Sequence, residues 1–158
     1  MSRPNLWEVV NLIQISLVSV RAATTLDAEH LPEAPPHLQM HWAATGRDLP
    51  DESRVEILAE MSVRASVGEA EEAEEAEEAG DPSDPLIVEA RYRLLYERPN
   101  DYVPTAEEVE AFAGRNGVFN AWPYFRELSH GIYGKMNIPL PPVPVFRVAG
   151  QLHARHPK

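Results

Sequence analysis

From Val55 to Val67 the chain alternates without a break, with Val55, Ile57, Ala59, Met61, Val63, Ala65 and Val67 on one parity and Glu56, Leu58, Glu60, Ser62, Arg64 and Ser66 on the other. Successive side chains of a strand point to opposite faces, so this spacing makes one apolar and one mostly polar face; on a helix the same residues would scatter around the cylinder. Leu86, Val88, Ala90, Tyr92, Leu94 and Tyr96 repeat the device against Ile87, Glu89, Arg91, Arg93 and Leu95. Two long strands of this kind predict a sheet with one buried face, and their order predicts antiparallel pairing across the residues that join them.

The joining segment is of another kind. "EAEEAEEAEEAGDPSDP", residues 69–85, holds nine carboxylates and neither Lys nor Arg. Like charges at that density repel and the Asp-Pro pairs end any helix, so a disordered or fraying hairpin insertion is expected. The same run accounts for most of the formal net charge of -11, because the rest of the chain sets sixteen carboxylates (25 less nine) against fourteen Lys and Arg, a balance of -2. No dense basic patch is left to neutralise phosphates or an anionic bilayer, which argues against nucleic-acid and membrane-surface partners. No segment has the apolar length to span a bilayer, and Glu8, Asn11, Gln14, Ser16 and Ser19 interrupt the stretch a secretory signal would need. The chain has no cysteine, which removes disulfides and thiolate chemistry and suits a cytoplasmic setting. At 158 residues, one domain over 1–158 is expected, with the acidic insertion at 69–85.

Around this pair the other elements follow. "LIQISLVSVRAATT", residues 12–25, is rich in β-branched residues and predicts a first strand with one buried face. Prolines 32, 35 and 36 exclude helix and leave a short, edge-like second strand near His37 to Ala43, carrying Trp42. Thr105 with Glu108 forms a capping box for a short helix with Val109 and Phe112, expected to stop at Gly114 and Gly117. Trp122, Phe125, Leu128, Ile132 and Met136 recur at helical spacing and predict a long helix ending near Asn137. Proline is tolerated only in a first turn, where the amide N–H has no partner in any case, so Pro123 places the start near Asn120, which can cap it. "IPLPPVPVFRV" is too proline-dense for helix and predicts an extended segment over an apolar surface. The fold class is therefore α+β: a four-stranded antiparallel sheet with two helices on one face.

No catalytic or metal motif is present. His37 and His41 are four apart on an extended backbone without third and fourth ligands, and the acidic run lacks the alternating ligands of a calcium loop. No phosphate loop, nucleophile elbow or HExxH occurs, so no cofactor or metal is expected. Phe119, Trp122, Tyr124, Phe125 and Tyr133 exceed what one helix needs to bury itself; Trp122 and Phe125 lie on the apolar stripe and are predicted core, while Phe119 and Tyr124 lie off its centre.

Residues 117–148, "GVFNAWPYFRELSHGIYGKMNIPLPPVPVFRV", resemble the helix and proline-rich exit of the SecB protein-export chaperones, and especially the SecB-like proteins of bacteria outside the classical export pathway. The strand order, with "LQMHW", "MSVRASV" and "LIVEARYRLLY" in sequence, is similar to the same family over about residues 12–148. The resemblance implies a dimer of dimers that holds unfolded polypeptide without nucleotide, in grooves lined by apolar side chains. It points to Trp42, Tyr92, Leu94, Tyr96, Phe112, Phe119, Trp122, Tyr124 and Met136 as client-binding residues. It also implies a contact of Ile87 and Glu89 with the export motor, although "SVRAATT" stands where the family carries carboxylates. SecB-like proteins also serve as dedicated chaperones of an antitoxin, a second role this chain is expected to be able to fill. Two readings of other classes stand beside these: a small-ligand binder or enzyme using His130, Glu56, Glu60 or Glu89, and a structural oligomerisation module.

Overall fold

The computed structural model describes residues 3–26, 36–66 and 86–146. The expected acidic insertion at 69–85 and the tail "HARHPK" lie outside the described residues. A short helix α1 (Leu6–Val9) precedes four strands, β1 (Asn11–Thr24), β2 (His37–Leu49), β3 (Arg54–Ser66) and β4 (Leu86–Glu97). The strands form one antiparallel sheet in the order β1-β4-β3-β2, so the two strictly alternating strands pair antiparallel, as predicted, and occupy its centre. Helices α2 (Ala106–Phe112) and α3 (Val118–Met136) follow.

The core lies between β3, β4 and the helices. Val55, Ile57, Ala59, Met61, Val63 and Ala65 of β3, with Leu86, Val88, Ala90, Tyr92, Leu94 and Tyr96 of β4, meet Val109, Phe112, Val118, Ala121, Trp122 and Phe125, all buried. At about 25 cal/mol per Å² of apolar surface, these two strand faces dominate the stability of the chain. Leu6 of α1 is also buried, an anchor that the short N-terminal pattern does not announce. Asp48 and Arg98 tie the far ends of β2 and β4 through a two-pronged ion pair of 2.7 and 2.9 Å.

Three expectations are corrected. β2 is thirteen residues long rather than a short piece near His37 to Ala43, because its ladder with β3 continues through Gly46↔Ile57 to Leu49↔Arg54. Gly46 is what lets that extension lie under the helix: a Cβ there would sit 2.7 Å from both Ile57 Cδ1 and Val109 Cγ1. The glycines after α2 do not end the helical run. Ala113–Gly117 forms a π-helical turn that leads directly into α3, and a Cβ on Gly117 would stand 2.6 Å from Ile57 Cγ2, so this glycine permits close helix–sheet contact. Consequently Pro123 is inside α3 and Asn120 is no cap; its side-chain amide instead donates to the Tyr96 hydroxyl at 2.9 Å. The continuous helix leaves the Phe119 carbonyl without the i+4 amide donor that Pro123 lacks.

The first strand departs in another way. β1 was expected to bury one face, but Leu12, Ile13, Leu17, Val18 and Val20 are all 40% exposed or more. It is an edge strand whose register shifts at Ile13 and Val18, and of the apolar residues from Leu12 to Val20 only Ile15 is partly buried against the core.

Candidate functional site

A residue on an α-helix turns about 100° from its predecessor, so α3 presents three stripes. The middle stripe, Val118, Ala121, Phe125 and Ser129, is buried on the sheet. Tyr124, Leu128, Ile132 and Lys135 line the flank toward β1, and Trp122, Arg126 and His130 line the flank toward β2.

The β1 flank is open. A cleft of about 370 Å3 runs between Tyr124, Leu128, Ile132 and Lys135 on one wall and Ile15 and Leu17 of β1 on the other, with Tyr92 at its floor. Burial, and secondarily the Glu127 carboxylate, pushes the Tyr92 hydroxyl up to about 12, so it remains a neutral donor under ordinary conditions. Tyr124 is 50% exposed at the rim. An apolar trough beside a strand with unpaired backbone groups can take an extended chain through both side-chain burial and main-chain hydrogen bonds.

The β2 flank is filled by the chain itself. Asn137, at φ 55, closes α3, its backbone amide donating a hydrogen bond to the Gly134 carbonyl and that of Ile138 to the Tyr133 carbonyl, after which residues 138–146 run back along the helix. Trp122 Nε1 donates to the Pro144 carbonyl at 2.8 Å, Arg126 Nε donates to the Val143 carbonyl at 2.7 Å, and the Val143 amide donates to His130 Nε2 at 3.0 Å. Phe146 completes an aromatic triangle, 5.4 Å from Trp42 and 5.3 Å from Trp122, with Trp42 and Trp122 5.6 Å apart. The two Trp42 contacts are edge-to-face, a geometry that adds to simple burial, and the Trp122–Phe146 pair is tilted.

The proposed client residues therefore occupy three different environments. Trp42 and Phe119 are about half exposed, and so is Tyr124, while Met136 is partly buried. Phe119 and Tyr124 do not form one surface: five residues apart, they lie about 140° from each other around the helix. Leu94, Tyr96, Phe112 and Trp122 are buried and present no surface in this conformation; Tyr92 is buried too, but it underlies the cleft. The exposed β1 residues Leu12, Ile13, Leu17, Val18 and Val20 were not among the candidates, although their β-branched run was visible in the sequence.

The other sheet face is a charge lattice. Glu56 takes Arg47 and Arg93, Glu60 takes Arg91 at 2.5 Å, and Glu89 lies 3.6 and 3.7 Å from Arg21 and Arg64. For Glu56, burial pushes its carboxyl upward, but the hydrogen bonds and charges of Arg93 and Arg47 together bring it below the usual carboxylate range. A concavity of about 520 Å3 on this face is bordered by Arg21, His41, Glu60, Glu89 and Arg91. Ile87 is half-buried beside Glu89, and each carboxylate of the suggested motor contact and of the enzyme reading is already engaged by arginine. His130 is engaged by Val143, and no group of three metal-ligating side chains exists among the described residues.

The sheet order, the helix laid on one face and the proline-rich return define a SecB-like fold. The SecB-like chaperone Rv1957 of Mycobacterium tuberculosis, solved with a ChAD peptide from the Rv1956 HigA1 antitoxin, matches it with a TM-score of 0.70 at 17% identity, over 90% of this chain and 93% of that one. A protein of unknown function from Streptococcus agalactiae matches with a TM-score of 0.45 at 8% identity, over 85% of this chain and 96% of that one. No family model and no curated protein sequence matches the chain.

Proposed function

We propose that this protein is an ATP-independent holdase that keeps polypeptides unfolded by binding them as extended segments. The observation that carries the reading is the open apolar cleft between β1 and α3 on a SecB-like sheet, bounded by Ile15, Leu17, Tyr124, Leu128 and Ile132. Contacts of this kind depend on shape and apolar area rather than on particular side chains, which suits many clients. The unpaired, apolar β1 edge also suits joining of copies, and the proposed assembly is a dimer of dimers of single-domain subunits working in the cytoplasm without cofactor. Neither the charge lattice nor His130 favours an enzymatic role. Aggregation of a chemically denatured protein should be suppressed at stoichiometric chaperone without ATP; unchanged turbidity would sink the reading.

A second reading is favoured by one observation: the matched Rv1957 structure holds an antitoxin peptide. In that reading the client is a dedicated antitoxin rather than exported proteins, with Ile87 and Glu89 playing no part in a motor contact. Affinity purification from the native cell distinguishes the two. One dominant small partner supports the antitoxin role, and a spread of unfolded precursors together with the motor supports export.

A further inference from the structure

Residues 138–146 occupy the β2 flank of α3 in a particular manner. Every polar contact that fastens the middle of this strap is made to its backbone: two carbonyls, of Val143 and Pro144, and one amide, of Val143. The three side chains that make them, Trp122, Arg126 and His130, are four residues apart and therefore form a straight ladder along one helix flank. A ladder that reads only backbone atoms accepts any extended chain. Apolar contact is confined to a few positions: Ile138 and Val143 are buried, Leu140 is partly buried and Phe146 packs on Trp42 and Trp122, while Pro139, Pro141, Pro142, Pro144 and Val145 remain exposed.

The composition of the strap explains how it can hold the site without being a strong ligand. Prolines at 139, 141, 142 and 144 restrict the free strap and lower the entropy lost when it docks. They also remove amide donors, so the strap satisfies His130 through Val143 alone. An ordinary polypeptide has a donor at nearly every residue and can offer the same carbonyls. The strap begins one residue after the helix, which gives it a high effective concentration at its own site.

We propose that Trp122, Arg126 and His130 form a second, backbone-reading polypeptide site, occupied in cis by residues 138–146, and that an extended client displaces the strap to use it. The proposal rests on the holdase reading and adds to it an autoinhibited site distinct from the open β1 cleft.

The test uses the full chain, a permanently unfolded reduced and carboxymethylated protein as client, and the free nonapeptide IPLPPVPVF. In the variant Val143→Ser/Phe146→Ser the strap loses the two apolar contacts beside the ladder, keeping Ile138 and Leu140 next to the helix end, while the ladder is intact. A site closed about nine-tenths of the time in the parent chain should then bind client roughly tenfold more tightly. The nonapeptide should bind this variant, shift its tryptophan fluorescence and restore client affinity toward the parent value; adding Arg126→Gln should weaken both ligands. A folded variant with parental client affinity, or one that ignores the peptide, overturns the proposal while a parent chain that binds client leaves the holdase reading standing. Peptide binding with no client binding by either protein instead overturns the holdase reading, and the competition with it. If the double variant does not fold, hydrogen exchange at the Val143 amide of the parent chain decides: faster exchange on adding client supports displacement, and unchanged exchange with client bound overturns it.

Discussion

The two flanks of α3 are built from similar apolar material and finished in opposite ways. Toward β2, Trp42, Trp122 and Phe146 stack and the strap is hydrogen-bonded over them; toward β1, Leu17, Ile15, Leu128 and Ile132 face each other across an unfilled cleft. The contrast teaches that apolar composition alone does not mark a binding surface. What separates core from site is whether the same chain supplies a covering segment, and at β1 the described residues supply none.

The comparison can be tested by changing each flank in turn. Trp122→Ala removes a buried ring and the donor to Pro144, and should cost about 3–5 kcal/mol in denaturant unfolding, enough to threaten folding. Should the cost be below about 1 kcal/mol, the Trp122 ring is not packed beneath the strap. Arg98→Ala acts on neither flank but on the closure of the sheet behind them. It leaves Asp48 without its buried partner, and a loss of about 3 kcal/mol is expected from the same measurement.

The charge lattice predicts a pH effect. Glu56 titrates below the usual carboxylate range in the folded chain, so its contribution to stability is fully present above the ordinary carboxylate value and is lost as pH falls through the lower folded value. Unfolding midpoints should therefore decline on the acid side, and Glu56→Gln should flatten that decline; an identical pH profile in the variant would contradict the arrangement. The smallest stability change belongs to the open flank. Leu17→Ser with Val20→Ser should alter the monomer's unfolding free energy by less than about 1 kcal/mol, because both residues are about half exposed. The same variant should weaken client binding and lose self-association, read by aggregation assay and light scattering, which separates a surface from a core.

Much of the architecture was legible because period-two alternation has a single structural solution. β3 and β4 came out with the predicted faces, and the Thr105–Glu108 capping box formed, with the Glu108 carboxylate 2.8 Å from the Thr105 amide. What could not be read were features in which a local signal lost to a distant contact. Pro123 marks a helix start in an isolated chain, but here the π turn and the Gly117–Ile57 approach carry the helix through it. "AATGRDL" has weak strand propensity, but β3 offers a complete ladder to it. Several site candidates are buried in this conformation for a related reason: aromatic spacing on β4 places Tyr96 and Leu94 on an apolar face without saying whether a helix covers it.

The sequence by itself determined the strand and helix periods, the apolar faces of the two central strands and the proline-rich return after Asn137. These are local properties, set by side-chain parity and proline geometry. Only the tertiary structure decided which apolar surfaces meet. The path of α3 over the sheet left β1 uncovered and brought 138–146 onto Trp122, Arg126 and His130, because burial is a relation between segments far apart in the chain.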